Sequence, residues 1–437
     1  MNFPATIFTG EKFAIVGLGK NGLPAAHALR AMGAEVTVWD DKPDARAAAS
    51  GFTVAEPDMA GLTALVLSPG IPHRLPKPHP IAARALAAGV PILSDSDLLY
   101  RAVRAAGSRA RFAGITGTNG KSTTTALLAH IISRAGRPVA AGGNLGTPAL
   151  ALPLLPDDGV YVLEMSSYML ERIATLRFDV AAMLNLSPDH LDRHGDMAGY
   201  AAAKRHIFDR QTGNDVAVVG TDDAPSRAMA ESLRAGNRVT ISAKDGEAIA
   251  RGPTLPGAHN AQNAAAASAM ARALDIPESA ITEAMQTYPG LPHRQELVGA
   301  VDGKKFVNDS KATNADSTAW ALACYDRVIW IAGGTAKEGG IEPLTKYFPR
   351  VVLALLIGRD APILAATLRA HGVPHRDVGT LDEAVAQAWT EARAGTADTV
   401  LLSPACASWD QFTGFDQRGD RFRSLVQARI ATMQGAA

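Results

Sequence analysis

Short apolar runs alternate with stretches of helical periodicity along most of the chain, and this alternation predicts layered α/β sheets. Phe13–Val16, Glu35–Trp39 and Ala64–Leu67 read as strands, with a helix running through Met32 between the first two. Val160–Leu163, Val180–Leu184 and Val216–Val219 repeat the pattern, and an Ala-rich helix spans Asn260–Leu274. It restarts with Lys305–Val307, Val328–Ala332, Val351–Ile357 and Thr399–Leu402. Near-continuous apolar strands separated by helices form parallel or mixed sheets covered on both faces. A chain of 437 residues is too long for one ordinary core. We expect three α/β domains, at residues 1–94, 95–291 and 292–437, the last break marked by Tyr288-Pro-Gly-Leu-Pro292.

Two glycine-rich turns interrupt the alternation. Gly17-Leu-Gly19-Lys20-Asn21-Gly22 follows the first strand, and Asp40, Asp41 and Lys42 close the second, which is the dinucleotide-type fingerprint. The other turn is more informative: Gly114-Ile-Thr-Gly117-Thr118-Asn119-Gly120-Lys121-Ser122-Thr123. Leu127, Leu128 and Ile131 follow it at helical spacing, so the turn joins a strand to a helix N-terminus, where backbone N–H groups and the helix dipole favour a phosphate. Lys121 can place its charge on the β- and γ-phosphates, and Ser122 can offer a hydroxyl to Mg²⁺. The common spacing G-x-x-x-x-G-K-[ST] asks for glycine at position 115, where Ile115 stands.

Other polar residues sit at strand ends, where α/β proteins build their sites. Glu164 ends the strand Val160–Leu163 and is placed to bind a cation beside the phosphate turn. In Asn185-Leu-Ser-Pro-Asp189-His190-Leu-Asp192-Arg-His194, His190 could bind a second cation or orient a phosphate, supported by Asp189 and Asp192; the alternative is a polar loop capping the next helix. No Cys joins this cluster, which disfavours zinc. Lys204 reads by itself as a solvent-exposed helix lysine, and Cys406 as a buried thiol, not a nucleophile. Pro292-His293-Arg294, Asn308–Asn314 and Leu402–Phe412 are further polar strand-end loops.

Charge and cysteine content narrow the setting. With 43 basic and 43 acidic residues the chain carries no net charge, which argues against general affinity for nucleic acid or anionic membrane. Two distant cysteines, Cys324 and Cys406, suit a reducing compartment. No apolar run approaches the roughly 18–20 residues of a membrane span. We expect a soluble, cytoplasmic protein.

The chain resembles the Mur ligases, ATP-dependent amide-bond-forming enzymes of peptidoglycan precursor synthesis. The resemblance is carried by Gly114–Thr123, Gly143-Asn144-Leu-Gly146, Glu164-Met-Ser-Ser-Tyr168, Asn185–Arg193, Tyr200-Ala-Ala-Ala-Lys204 and Gly257-Ala-His-Asn260-Ala-Gln-Asn263. Pro292–Arg294, Asn308–Asn314 and Leu402–Phe412 complete it. The family's turn pattern, G-x-x-G-T-x-G-K-[ST], is met from Gly114 to Ser122 and accounts for Ile115.

This resemblance implies a Rossmann-like nucleotide-sugar domain, a central P-loop ATPase-like α/β domain and a mobile Rossmann-like C-terminal domain. It points to the branch that adds D-glutamate to UDP-N-acetylmuramoyl-L-alanine (UDP-MurNAc-L-Ala), acting as a monomer. The first glycine turn then holds a UDP-sugar and not NAD, with Gly19, Lys20 and Asn21 at the diphosphate and Asp40, Asp41 and Lys42 near uracil and ribose. ATP is met by Gly117–Thr123, Asn260, Arg294 and Asp309, and Asn144 touches substrate or the transferring phosphate. Mg²⁺, at two sites, is held by Ser122, Glu164, His190 and a carbamylated Lys204, and D-glutamate by Thr313, Lys337, Ser408 and Phe415. Lys121, Asn144, His190 and Lys204 form the implied catalytic set. The chain departs from the family's usual pattern in two places. Gly333–Gly340 lacks the acid and glycine usual before Lys337, and Trp409 stands where leucine is usual beside Ser408. A folylpolyglutamate-synthetase-like ligase is disfavoured by the extra N-terminal glycine-turn domain, and an NAD-binding protein rests on Gly17–Gly22 alone.

Overall fold

The computed structural model describes residues 2–144, 146–233, 237–337 and 339–435. Leu145 of the Gly143–Gly146 stretch and Glu338 of the Gly333–Gly340 stretch lie outside them. The fold is α/β, built on three sheets. The first contains β1 (Lys12–Val16), β2 (Glu35–Trp39), β3 (Thr53–Val54), β4 (Ala64–Leu67) and β5 (Ile92–Leu93). All pairings are parallel, in the order β3-β2-β1-β4-β5. The order reverses between β1 and β4, so a crevice opens at their C-terminal ends.

The second sheet contains β6 (Arg111–Thr116), β7 (Val139–Gly143), β8 (Val160–Glu164), β9 (Val180–Met183), β10 (Val216–Gly220) and β11 (Arg238–Ile241). It too is wholly parallel, ordered β11-β10-β9-β6-β8-β7. The third contains β12 (Glu296–Val301), β13 (Lys304–Asn308), β14 (Val328–Gly333), β15 (Val351–Ile357), β16 (His375–Gly379) and β17 (Thr399–Leu402), ordered β12-β13-β17-β14-β15-β16. Among the described residues of that sheet only the β12–β13 pair is antiparallel. Strands β11, β12 and β16 lie at sheet edges and are largely exposed or half-buried, so apolar patterning did not reveal them.

The chain forms two compact units. One takes residues up to Arg251 together with Asn260–Tyr288 and so contains the first two sheets; the other takes Gly252–His259 and the chain from Pro289 onward. In the second unit Trp330 and Leu356 face one core while Ile329, Ile331 and Leu355 face the other, the period-two alternation of a sheet covered on both sides. In the first unit one continuous core joins the two sheets, running from Phe13 and Ile15 through Leu98, Leu99, Ala102 and Val103 to Phe112 and Tyr161.

The helix Asp95–Ala105 bridges these sheets, and its polar N-terminus is as important as its apolar face. Ser94 caps it by accepting from the Asp97 N–H at 3.3 Å. Asp97, fully buried, accepts from the backbone N–H groups of Ala174, Thr175 and Leu176 at 2.7–2.8 Å and from the Thr175 hydroxyl at 3.0 Å. Replacing Asp97 by Ala would strand those donors. We expect Asp97→Ala to lower the unfolding free energy of this unit by about 3 kcal/mol or more, read as a drop in urea midpoint; an unchanged midpoint would refute the assignment.

Candidate active site

The phosphate-type turn lies at the C-terminal end of β6, between Thr116 and the helix Lys121–Arg134. Backbone geometry dictates its glycines. Gly120 has φ +83°, and a Cβ there would stand 2.2 Å from Asn263 Oδ1. A neighbouring loop braces the turn: Asn185 O accepts from Thr118 N–H at 2.9 Å and Asn185 Oδ1 from Asn119 N–H at 2.8 Å. Thr118 Oγ1 accepts from Ser187 N–H at 3.0 Å. Asn263, on the helix Gly257–Ala273, donates from Nδ2 to Asn260 Oδ1 at 3.1 Å while its Oδ1 accepts from Thr124 Oγ1 at 3.2 Å. Asn260 and the turn are thus linked through Asn263.

Two cations converge on this turn. Lys121 Nζ donates to Gly117 O at 2.9 Å and Thr118 O at 2.8 Å. Lys204, on the helix Met197–Arg205, donates to the same Gly117 O at 2.8 Å and to Thr116 Oγ1 at 3.3 Å. The Lys204 side chain is buried, only 1% exposed, which corrects its reading as a solvent-exposed helix lysine. Burial, with the Lys121 charge second, pushes its pKa well below the ordinary lysine range. Periodicity could not show this, because the acceptors come from a turn 87 residues away in sequence.

Glu164, the last residue of β8, is 2% exposed. Its Oε1 accepts from Asn144 Nδ2 at 2.6 Å, and its buried Oε2 has no hydrogen-bond partner among the described residues. A buried carboxylate oxygen lacking a donor fits a cation ligand. His190 takes a left-handed conformation (φ 53°) at the start of the turn Leu191–His194, with Nε2 3.3 Å from Asp189 Oδ2. Burial lowers its pKa, so the ring favours the neutral form that can accept a cation. His190 and His194 stand four residues apart, a spacing that can pair zinc ligands, yet His194 is buried and committed elsewhere. Its Nε2 lies 2.9 Å from Ser167 Oγ and its Nδ1 3.2 Å from Glu171 Oε1. Among the described residues no three His, Cys, Asp or Glu side chains gather as a ready-made metal cage.

At the first sheet, Gly17 (φ +91°) has no room for a Cβ, which would meet Ser68 Cβ and Ile71 Cδ1 at 2.7 Å. A Cβ on Gly22 would stand 1.8 Å from Gly17 O, so the turn can close this tightly only with glycine. Ser68 Oγ donates to Gly17 O at 2.7 Å. Asp40 braces the turn from β2: its Oδ2 accepts from Leu18 N–H at 2.7 Å and its Oδ1 from Lys42 N–H at 2.9 Å. Asp41 lies 3.0 Å from His79 Nε2, and that hydrogen bond holds its carboxyl below the ordinary range. Gly19 and Lys20 are exposed at the rim, and Asn21 helps line a small cavity with Gly22, Ser68 and Asp95.

In the second unit the polar loops leave the C-terminal ends of β13, β17 and β14, which are adjacent. Asp309 is buried, accepting from Ser403 Oγ at 2.7 Å and Gln295 N–H at 3.2 Å, and desolvation raises its pKa to about 7. Arg294 is half-buried and pairs by backbone with Leu291. Thr335 and Ala407 exchange backbone hydrogen bonds at 2.8 and 2.9 Å, which brings the Lys337 loop against the Ser408 loop. Ser408 is buried, Lys337 and Trp409 are exposed, and Thr313 is half-buried. Phe415 lies under Lys311, whose Nζ is 3.9 Å from the ring centre.

Arg418 holds these loops together, and the sequence reading missed it. Only 1% exposed, it donates from Nε to Ser310 Oγ at 2.9 Å, from Nη2 to Ser310 O at 2.9 Å and to Cys406 O at 3.1 Å. Ser310 Oγ in turn donates to Phe415 O at 2.7 Å. Arg418 sits in Phe415-Asp-Gln-Arg-Gly-Asp-Arg-Phe422, a polar stretch whose only signal was a helix start. Cys406 is buried with its thiol pushed up to about 12, as suits a structural cysteine.

Comparison with known proteins decides the family. Residues 115–253 match the Mur ligase middle domain and residues 293–406 the Mur ligase, glutamate ligase domain. The UDP-N-acetylmuramoylalanine--D-glutamate ligase of Paramagnetospirillum magneticum is 50% identical, with 97% of each chain covered. Its counterpart in Rhodospirillum rubrum is 48% identical, covering 99% of this chain and 98% of that one.

The chain belongs to the Mur ligase family.

The fold agrees with other Mur ligases of known structure. UDP-N-acetylmuramate-alanine ligase from Thermotoga maritima superposes with a TM-score of 0.58 at 16% identity, over 96% of this chain and 99% of that one. The UDP-N-acetylmuramoylalanyl-D-glutamyl-2,6-diaminopimelate--D-alanyl-D-alanyl ligase from Acinetobacter baumannii gives 0.58 at 18%, over 96% and 90%. In this Mur ligase the turn Gly117–Lys121, Asn144, Glu164 and Lys204 are brought together, as are the loops bearing Asp309, Ser408 and Phe415.

Asp309 gives this unit a pH dependence. Its carboxyl holds a proton more tightly folded than unfolded, so stability is fully present below about pH 4 and is lost as pH rises through about 7. Asp309→Asn should flatten that part of the stability curve, measured by denaturant midpoint between pH 4 and 8. An unchanged slope would remove Asp309 as its source.

Proposed function

We propose that this Mur ligase joins D-glutamate to UDP-MurNAc-L-Ala at the expense of ATP, in the cytoplasm and as a monomer. The observation that carries the reading is the meeting of Lys121 and Lys204 at Gly117 O beside the partnerless Glu164 oxygen. Such a cationic turn suits a triphosphate, and a buried carboxylate suits the cation that travels with it. The near-full-length relatives named for the D-glutamate reaction supply the substrate class.

On this reading residues 1–94 take the UDP-sugar, 95–291 take ATP, and 292–437 take the amino acid and part of the nucleotide. ATP lies along Gly117–Thr123 and Asn260, and the family resemblance adds Arg294 and Asp309 as nucleotide ligands. Ser122, Glu164, His190 and a carbamylated Lys204 would hold Mg²⁺, which supplies charge neutralisation between two anionic reactants. Lys204 suits carbamylation because burial favours its neutral, nucleophilic amine form, and the carbamate would put an oxygen ligand in place of that amine. Gly19, Lys20 and Asn21 face the diphosphate, with Asp40, Asp41 and Lys42 toward uracil and ribose. Thr313, Lys337, Ser408 and Phe415 receive D-glutamate.

The chemistry then has two steps. The L-alanyl carboxylate attacks the γ-phosphorus, the bond to ADP breaks, and an acyl phosphate forms. The neutral amine of D-glutamate attacks the acyl carbon, loses a proton, and the tetrahedral intermediate expels phosphate. Lys121 stabilises the charge that builds on the transferring phosphoryl group, and Asn144 orients the acceptor beside it.

Phosphate release by the purified protein should require UDP-MurNAc-L-Ala and D-glutamate together. Equal turnover with L-glutamate would sink the stereochemical assignment. Lys121→Ala and Lys204→Ala should each lower kcat by about 10²–10³-fold or more. Bicarbonate or a short carboxylic acid should partly restore only the Lys204 variant, and rescue of neither would leave the carbamate without support.

A further inference from the structure

Arg172 follows the Glu164–Tyr168 segment in sequence, is 2% exposed, and sends its guanidinium entirely into the loop that leaves β4. Nη1 donates to Leu67 O at 3.1 Å and Ser68 O at 3.2 Å, Nη2 donates to Ile71 O, and Nε donates to His73 Nδ1 at 3.3 Å. Its own carbonyl accepts from Ser94 N–H at 2.9 Å, where the first sheet ends. A second arginine takes a carbonyl of the same loop that Arg172 does not reach: Arg193 Nη1 donates to Gly70 O at 3.1 Å. Arg193 also lies over the Tyr168 ring, 4.3 Å from its centre.

These arginines lie a few residues beyond the candidate metal ligands, Arg172 after Glu164 and Arg193 after His190. Glu171, beside Arg172, meets His194 Nδ1 at 3.2 Å, and His194 Nε2 lies 2.9 Å from Ser167 Oγ, three residues beyond Glu164. His194 N–H donates to His190 O at 3.2 Å. On its other side the gripped loop touches the first glycine turn, through Ser68 Oγ to Gly17 O at 2.7 Å and Ser68 N–H to Val16 O at 3.0 Å. It therefore lies at the β1–β4 crevice, where an α/β sheet receives its ligand.

We propose that Arg172 and Arg193 are positioning residues that lock the Ser68–His73 loop onto the segments bearing Glu164 and His190, and so align the nucleotide-sugar's carboxylate with the phosphate turn. The alignment rests on the function proposed above; the lock does not. A guanidinium suits the task because its planar fork reaches several carbonyls at once, which a lysine ammonium on the same stem cannot do. Burial lowers Arg172 only to about 10, so it stays charged, and His73, lowered to about 4 chiefly by burial, stays a neutral acceptor.

The test uses the full chain with Arg172→Lys, Arg193→Ala and the double variant. Hydrogen exchange across residues 68–73 should quicken in each variant whatever the substrate proves to be; unchanged exchange overturns the lock. In steady state Arg172→Lys should lower kcat by about 100-fold while KM for ATP stays within about twofold. Arg193→Ala should lower kcat by about 10-fold, and the double variant by less than the product, since both hold one loop. A raised KM for the nucleotide-sugar with kcat intact overturns alignment, as does a fall in thermal midpoint with undiminished kcat. If Arg172→Lys fails to fold, half-exposed Arg193 decides by the same criteria. A wild type that turns over normally while the variants match it defeats this inference alone; an inert wild type defeats the proposed function and the alignment with it.

Discussion

Two lysine Nζ atoms share one peptide oxygen. Lys121 and Lys204 both donate to Gly117 O, one from the helix that the turn begins and one from a helix far along the chain. Like charges held so close in a buried setting repel, and the repulsion is relieved only by an anion or by loss of one charge. Both reliefs belong to the chemistry assigned here: a triphosphate brings the anion, and carbamylation removes a cation. The turn's glycines, its brace through Asn185 and the parallel strands beneath it all hold those two side chains where they would not otherwise stay.

The same strand geometry repeats three times. Each sheet presents its loops at the C-terminal ends of adjacent parallel strands, with glycines where the backbone must turn sharply. What differs is the means of fixing the loops. Asp40 does it in the first sheet with a carboxylate that accepts backbone N–H groups. Arg418 does it in the third with a guanidinium that donates to backbone carbonyls. Asp97 and Arg172 join the first two sheets by the same two chemistries. Charged side chains satisfied by main chain, and not by each other, are the recurring structural device.

Much of this was legible beforehand because burial on both faces leaves a strong apolar imprint. Val351–Ile357 and Thr399–Leu402 appear with the bounds that their apolar runs give. Edge strands such as His375–Gly379 escaped, since half of each is exposed and polar residues serve as well as apolar ones there. The phosphate turn was legible because its residues are contiguous and each has a reason to be there. Lys204 was legible only by resemblance: a lysine's burial is decided by distant segments, and nothing in Tyr200–Lys204 records them. Arg172 and Arg418 were invisible for the same reason. Their partners are main-chain carbonyls, which leave no mark on sequence at all.

The Gly17–Gly22 turn carries the look of a dinucleotide site, and Asp40 is the acid that would grasp a ribose hydroxyl there. In this chain each of its oxygens already accepts a main-chain N–H, one from the turn and one from Lys42. The residue that advertises a nucleotide is thus a buckle fastening its own loop. Exchanging it to switch cofactor preference, a routine engineering step in dehydrogenases of this fold, would here unfasten the cradle before it altered what the cradle holds.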